Sequence, residues 1–103
     1  MGVPSVEVTV GRVYGQPVAG GAQTLAFDAT DKSITLSAGQ LYVLVASSDA
    51  FLGAADITVA GNRAIYLPAG VQYAMQIGAT DLVLHAGQVS LAGTLYAGKV
   101  REG

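Results

Sequence analysis

Nine residues of this chain return in outline thirty-one positions further on. Ile34-Thr35-Leu36-Ser37-Ala38-Gly39-Gln40-Leu41-Tyr42 is followed by Ile65-Tyr66-Leu67-Pro68-Ala69-Gly70-Val71-Gln72-Tyr73, and each copy leads into a further apolar run. A chain that writes the same strand, turn and strand twice is built from repeated β units. The residues Ala38 and Gly39 in one copy and Pro68, Ala69 and Gly70 in the other are structural turns, with Pro68 predicted at the first central position because its φ is already fixed there. Tyr42 and Tyr73 fall at equivalent places, which predicts a shared structural duty. Together the copies predict two related hairpins of one sandwich.

The rest of the chain carries period-two alternation and turn punctuation instead of helical spacing. Val6-Glu7-Val8-Thr9-Val10 alternates as a half-buried strand does. The Gly-, Ala- and Pro-rich stretch from Val13 to Gln23 shows no period and reads as an arm or long loop, so residues 1–23 are predicted to be an amino-terminal strand and arm. Thr24–Asp28 and Ser33–Leu36 read as short strands. Leu41-Tyr42-Val43-Leu44-Val45-Ala46 is continuously apolar, as a strand buried on both faces would be. The segment from Ser47 to Ala55 reads as a helical turn or loop, Asp56–Ala60 as a strand, and Gly61-Asn62 as a hairpin turn. Gln72–Ile77, Asp81–His85 and Gln88–Ala97 follow as strands, with a turn at Ala86-Gly87 and a bulge or kink at Gly93. Eight or nine strands in one domain, residues 1–103, predict an all-β fold with almost no helix: a β-sandwich of jelly-roll type, or a small β-barrel.

Composition narrows the function. Five Lys and Arg against seven Asp and Glu leave a net charge of −2. Lys32, Lys99, Arg12, Arg63 and Arg101 are scattered along the chain, so there is no footprint for nucleic acid. No apolar stretch reaches the roughly 18 to 20 residues of a membrane span, and the first residues lack the basic and apolar parts of a secretion signal. A mean hydropathy of +0.49 with 12% charged residues is unlike the surface of a free monomer, which carries about a quarter or more charged residues. Other chains are therefore expected to cover part of the surface, with Tyr14, Pro17 and Val18 in the arm as candidate interface residues.

Groups for catalysis are scarce. The chain has no Cys and one His, His85. Its neighbour in sequence, Asp81, would sit more than ~13 Å along a strand, so His85 reads as a packed or rim residue. Asp28 with Asp31, and Asp49 with Asp56, could supply oxygens to Ca2+, but turn-forming Asp explains both pairs, and no metal or cofactor is expected. No Ser lies in a Gly-x-Ser-x-Gly elbow, and the chain is not expected to be an enzyme. The tyrosines also admit a carbohydrate- or receptor-binding module, although Tyr is a favoured strand residue in its own right.

The second phrase, Leu67-Pro68-Ala69-Gly70-Val71-Gln72-Tyr73, resembles the second conserved motif of cupins, in which a Pro-x-Gly turn precedes a metal-binding His. Tyr73 stands at that His, and the His-x-His and Glu group of the first cupin motif has no counterpart. The resemblance therefore implies jelly-roll turn geometry without the metal. A degenerate cupin-like enzyme would have to use His85 and Tyr73 together in one pocket. Across most of its length the chain also looks like the small, Cys-free, Gly- and Ala-rich virion proteins of tailed phages, notably head decoration or cement proteins, with Gly87-Gln88-Val89-Ser90-Leu91 leading into the closing run. That resemblance implies a virion protein made in the host cytoplasm, self-associating, often as a trimer, and seated on a major capsid protein.

Overall fold

In the computed structural model, which describes residues 16–101, eight strands alternate with short connections. They are β1 (Gln16–Phe27), β2 (Lys32–Leu36), β3 (Leu41–Ala46), β4 (Ala50–Gly53), β5 (Ile65–Leu67), β6 (Tyr73–Gln76), β7 (Leu82–Gln88) and β8 (Gly93–Arg101). The pairings β4 with β5, β3 with β6, β2 with β7 and β1 with β8 are nested and antiparallel, like one long hairpin rolled up. Rolling gives a front sheet of order β1-β8-β3-β6 and a back sheet of order β2-β7-β4-β5. This is a jelly-roll β-sandwich, as the strand-and-turn pattern predicts.

Period-two alternation explains the core. From β3 the side chains of Tyr42, Leu44 and Ala46 point inward and are 0%, 0% and 1% exposed, and they meet Leu95 and Ala97 of β8. Leu36, Leu52, Leu67 and Leu84 supply the facing layer from the back sheet. Each such leucine contributes about 1.5–3 kcal/mol relative to exposure. No buried side-chain polar atom among the described residues lacks a hydrogen-bond partner.

The repeated phrase is architectural, but its units are not hairpins. β2 and β5 lie in the back sheet while β3 and β6 lie in the front one, so each Ala-Gly turn carries the chain from one sheet to the other. Gln40 N–H donates to Ser37 O (3.3 Å) and Val71 N–H to Pro68 O (3.2 Å). Gly39 (φ 75°) and Gly70 (φ 77°) are thus second central residues, and the absence of positive φ at Ala38 and Ala69 makes both turns type II. Pro68 therefore opens its turn and does not hold the first central position, which belongs to Ala69.

Other segments differ from their sequence reading for identifiable reasons. Gln16–Gln23 is not an arm but the first part of β1, whose register against β8 jumps between Pro17 and Ala22. Pro17 pairs with Val100, and Val18–Gly21 bulge out between that pair and Ala22–Gly98. The glycines and alanines that hide periodicity are what that bulge and the close approach to Lys99 require. Ala50–Gly53, read as a turn or loop, is a core strand. Asp56–Ala60, read as a strand, is a loop closed by a 3-10 turn at Ala60–Asn62, which also replaces the Gly61-Asn62 hairpin. Ala86-Gly87 lies inside β7, and β8 begins at Gly93 after a bend. Tyr14 and the strand read at Val6–Val10 fall outside the described residues.

Candidate functional site

Every aspartate of the chain accepts a backbone amide. Asp28 Oδ1 takes Thr30 N–H (2.8 Å), Asp56 Oδ1 takes Thr58 N–H (3.0 Å) and Asp31 Oδ1 takes Ile57 N–H (3.0 Å). The remaining two act on the repeated turns in a crossed arrangement. Asp81 Oδ1, after β6, caps Ala38 N–H of the first turn (2.8 Å), and Asp49 Oδ1, after β3, caps Ala69 N–H of the second (2.8 Å). Beside them Gly39 N–H donates to Gly78 O (2.8 Å) and Gly70 N–H to Ala46 O (2.9 Å). Each turn is thus locked by the strand end of the other copy, and the sequence repeat extends to the Asp that follows each apolar run.

These bonds set the carboxyl chemistry. The Ile57 amide first, and then the His85 ring, hold Asp31 below the usual aspartate value, and the Ala69 amide followed by the Tyr66 hydroxyl does so for Asp49. Thr30, through its hydroxyl and then its amide, lowers Asp28. Tyr66 is pushed up by donating to Asp49 (2.9 Å). Carboxylates used in this way are turn and loop fasteners. Among the described residues no three His, Cys, Asp or Glu side chains converge as a metal set.

His85 finds its partner across strands and not along its own. β2 lies beside β7, which brings Asp31 to His85 Nδ1 at 2.8 Å, while Asp81 serves the turn at Ala38. The pair sits under the loop between β4 and β5, where Ile57 is 2% exposed. Ile57 lies over Gly87, where a Cβ would come 2.7 Å from its Cγ2. Arg63 completes the fastening, donating from Nε to Ile57 O (2.9 Å) and stacking 5.1 Å above the Phe51 ring. Ser33 stands opposite His85 in register, but the hydrogen bond found on the ring is to Asp31, so the cluster has no nucleophile engaged. His85 and Tyr73 lie on different sheets, and the two described clefts are lined by neither. The clefts are shallow, about 220 Å3 beside Ser47, Asp49 and Leu91 and about 280 Å3 beside Gln40, Gln76 and Arg101.

Tyr42 and Tyr73 do not share a duty. Tyr42 is fully buried, and its hydroxyl accepts Ser37 N–H (2.9 Å), tying the strand to its own turn. Tyr73 is 39% exposed at the free end of β6. The burial of Tyr42 removes it from any carbohydrate platform.

The outer face of the front sheet is the surface that the sequence does not explain by folding alone. Leu41, Val43 and Val45 of β3 point outward, between Val100 and Tyr96 of β8 on one side and Ala74 of β6 on the other. Ala22, Thr24 and Ala26 of β1 continue the face. Lys99 pairs with the inward Tyr42, so its register is that of the inner side, and no Asp, Glu, Lys or Arg occupies an outward position here. At strand spacings of ~4.8 Å and rises of ~3.4 Å, the face covers about 400 Å2 in plan, within the range of the largest patch on an ordinary monomer, about 300–600 Å2. Pro17 and Val18 lie at its β1 border.

Comparison with protein-family models, curated proteins and solved structures finds no match.

Proposed function

We propose that this is a structural, self-associating jelly-roll protein that works by covering and joining protein surfaces, in the manner of a decoration or cement protein on a phage head. The observation that carries the reading is the uncharged outer face of the front sheet. β3 has the continuously apolar sequence of a strand buried on both sides, yet the described chain leaves its outward Leu41, Val43 and Val45 only half-buried. Aspartates committed to backbone amides and clefts that are shallow agree with a role that needs area more than reactive chemistry. An interface of standard size buries about 800 Å2 on each partner. The face supplies a large part of that, and the β1 border with Pro17 and Val18 extends it. The capsid setting follows from the resemblance in composition and pattern, and the major capsid protein is the partner it names.

Light scattering on the purified chain tests the reading. The wild type is expected to run as an oligomer, the trimer being the state that resemblance implies, and Val43→Lys, which adds a charge to the centre of the face, is expected to lower its mass with the fold intact. A wild type that stays monomeric at every concentration and does not co-sediment with capsid shells overturns it.

A further inference from the structure

The crossed turn caps show that β2-β3-β4 and β5-β6-β7 are equivalent triplets. Exchanging one for the other turns the back-sheet order β2-β7-β4-β5 into itself reversed, so that sheet is complete. The front sheet obeys the exchange only at its centre. β3 and β6 change places, but β8 flanks β3 on its far side, and no described strand flanks β6 on the corresponding side. The open edge is the place of a missing counterpart of β8.

Among the described residues that edge leaves hydrogen-bonding groups without a strand partner, in a definable register. Ile77 N–H donates to Gln40 O (2.8 Å), which makes Gln40 and Ile77 a hydrogen-bonded pair. Antiparallel alternation makes Tyr42–Met75 and Leu44–Tyr73 hydrogen-bonded as well, so the N–H and C=O groups of Ala74 and Gln76 point away from β3. Sheet edges are normally blunted by charge, proline, bulges or extreme shortness. β1 has Pro17 and its bulge, β2 begins with Lys32, and β5 is only three residues long, ending against Pro68. β6, Tyr73-Ala74-Met75-Gln76, has no charge, proline or bulge.

We infer that the β6 edge pairs with β6 of a second copy around a twofold axis. This rests on the self-association reading and adds to its face contact a second, twofold contact whose partner and register it names. The counterpart of β8 must run antiparallel to β6, and a twofold-related β6 does so by symmetry. Ala74 of each copy exchanges N–H and C=O with Gln76 of the other, and Met75 faces Met75 in the non-hydrogen-bonded position between them. The two front sheets then form one continuous sheet, and their uncharged outer faces join into one surface.

The chain contains no Cys, so a single cysteine reports on the pairing. Facing residues in a non-hydrogen-bonded antiparallel pair have Cα atoms ~4.5 Å apart, within disulfide range. Met75→Cys is expected to form a covalent dimer on mild oxidation at least about tenfold faster than Thr35→Cys on the β2 edge, because pairing raises the local thiol concentration. Ala74→Pro removes an N–H that no bond among the described residues uses, a change an edge strand tolerates. With its circular dichroism unchanged, it is expected to lower the mass seen in light scattering to that of the unpaired unit. Cross-linking no faster than Thr35→Cys, or an Ala74→Pro chain with wild-type mass, overturns the inference. If the wild type associates and Val43→Lys separates it while these two results fail, the edge is wrong and the face stands; a monomeric wild type defeats both.

Discussion

The two sheets bury the same kind of side chain between them and differ in what lies over their outer surfaces, although the back sheet too leaves Val83 and Tyr66 exposed. The back sheet carries its own cover: the loop from β4 to β5 lays Ile57 against Gly87, with Asp31, His85 and Arg63 fastening it. The front sheet has outward Leu41, Val43 and Val45 and no described segment over them. On the proposed reading, the lidded face serves stability, and the uncharged face, which no described segment covers, serves association.

Substitution on the two outer faces should break that symmetry most clearly. Ile57→Ala removes a fully buried side chain and is expected to cost about 2–5 kcal/mol in chemical denaturation. Val45→Ala, on the outer face of the front sheet, is expected to cost less than about 1 kcal/mol in the Val43→Lys background. Equal losses at the two sites would mean that the front face is covered within the monomer. A smaller effect is expected from acid. The Ile57 amide and His85 depress the Asp31 pKa in the folded state, so its contribution is fully present above the ordinary aspartate value of 3.8 and is lost as pH falls through the depressed one. Amide exchange at Ile57 should accelerate over that acidic window ahead of exchange in β3, and Asp31→Asn should remove the pH dependence. An unchanged pH response in Asp31→Asn would detach the loop from this carboxylate.

Much of the architecture was legible because turns and alternation are local properties. The Ser37–Gln40 and Pro68–Val71 turns, the apolar run of β3 and the near absence of helix are written in adjacent residues. What was not legible depends on contacts between distant residues. Asp56-Ile57-Thr58-Val59-Ala60 alternates like a strand, but only Ile57 has a site to enter, and Asp56 turns back onto Thr58. Gly87 looks like a turn because glycine usually is one, whereas here it makes room for Ile57 inside β7. His85 has Asp81 four residues away, yet strand pairing supplies Asp31 from fifty-four residues away. The crossed caps were half legible: the two phrases were visible, but the aspartates that close them lie beyond the phrases and act on the opposite copy.

The nested pairing also has a meaning in time. β4 and β5 are separated by the shortest loop of the four pairs, and each pair outward from them closes a longer one, ending with β1 against β8. Loop-closure entropy rises with length, and a topology dominated by distant pairings folds slowly, in about milliseconds to seconds. The rolled hairpin therefore orders assembly from its tip to its ends, and loosening runs the other way. Native-state hydrogen exchange should show β1 and β8 opening before the β3–β6 centre, and protection of β1 equal to that of β3 would rule this order out. The strands that hold the chain's two ends together are then the last to form and the first to be lost.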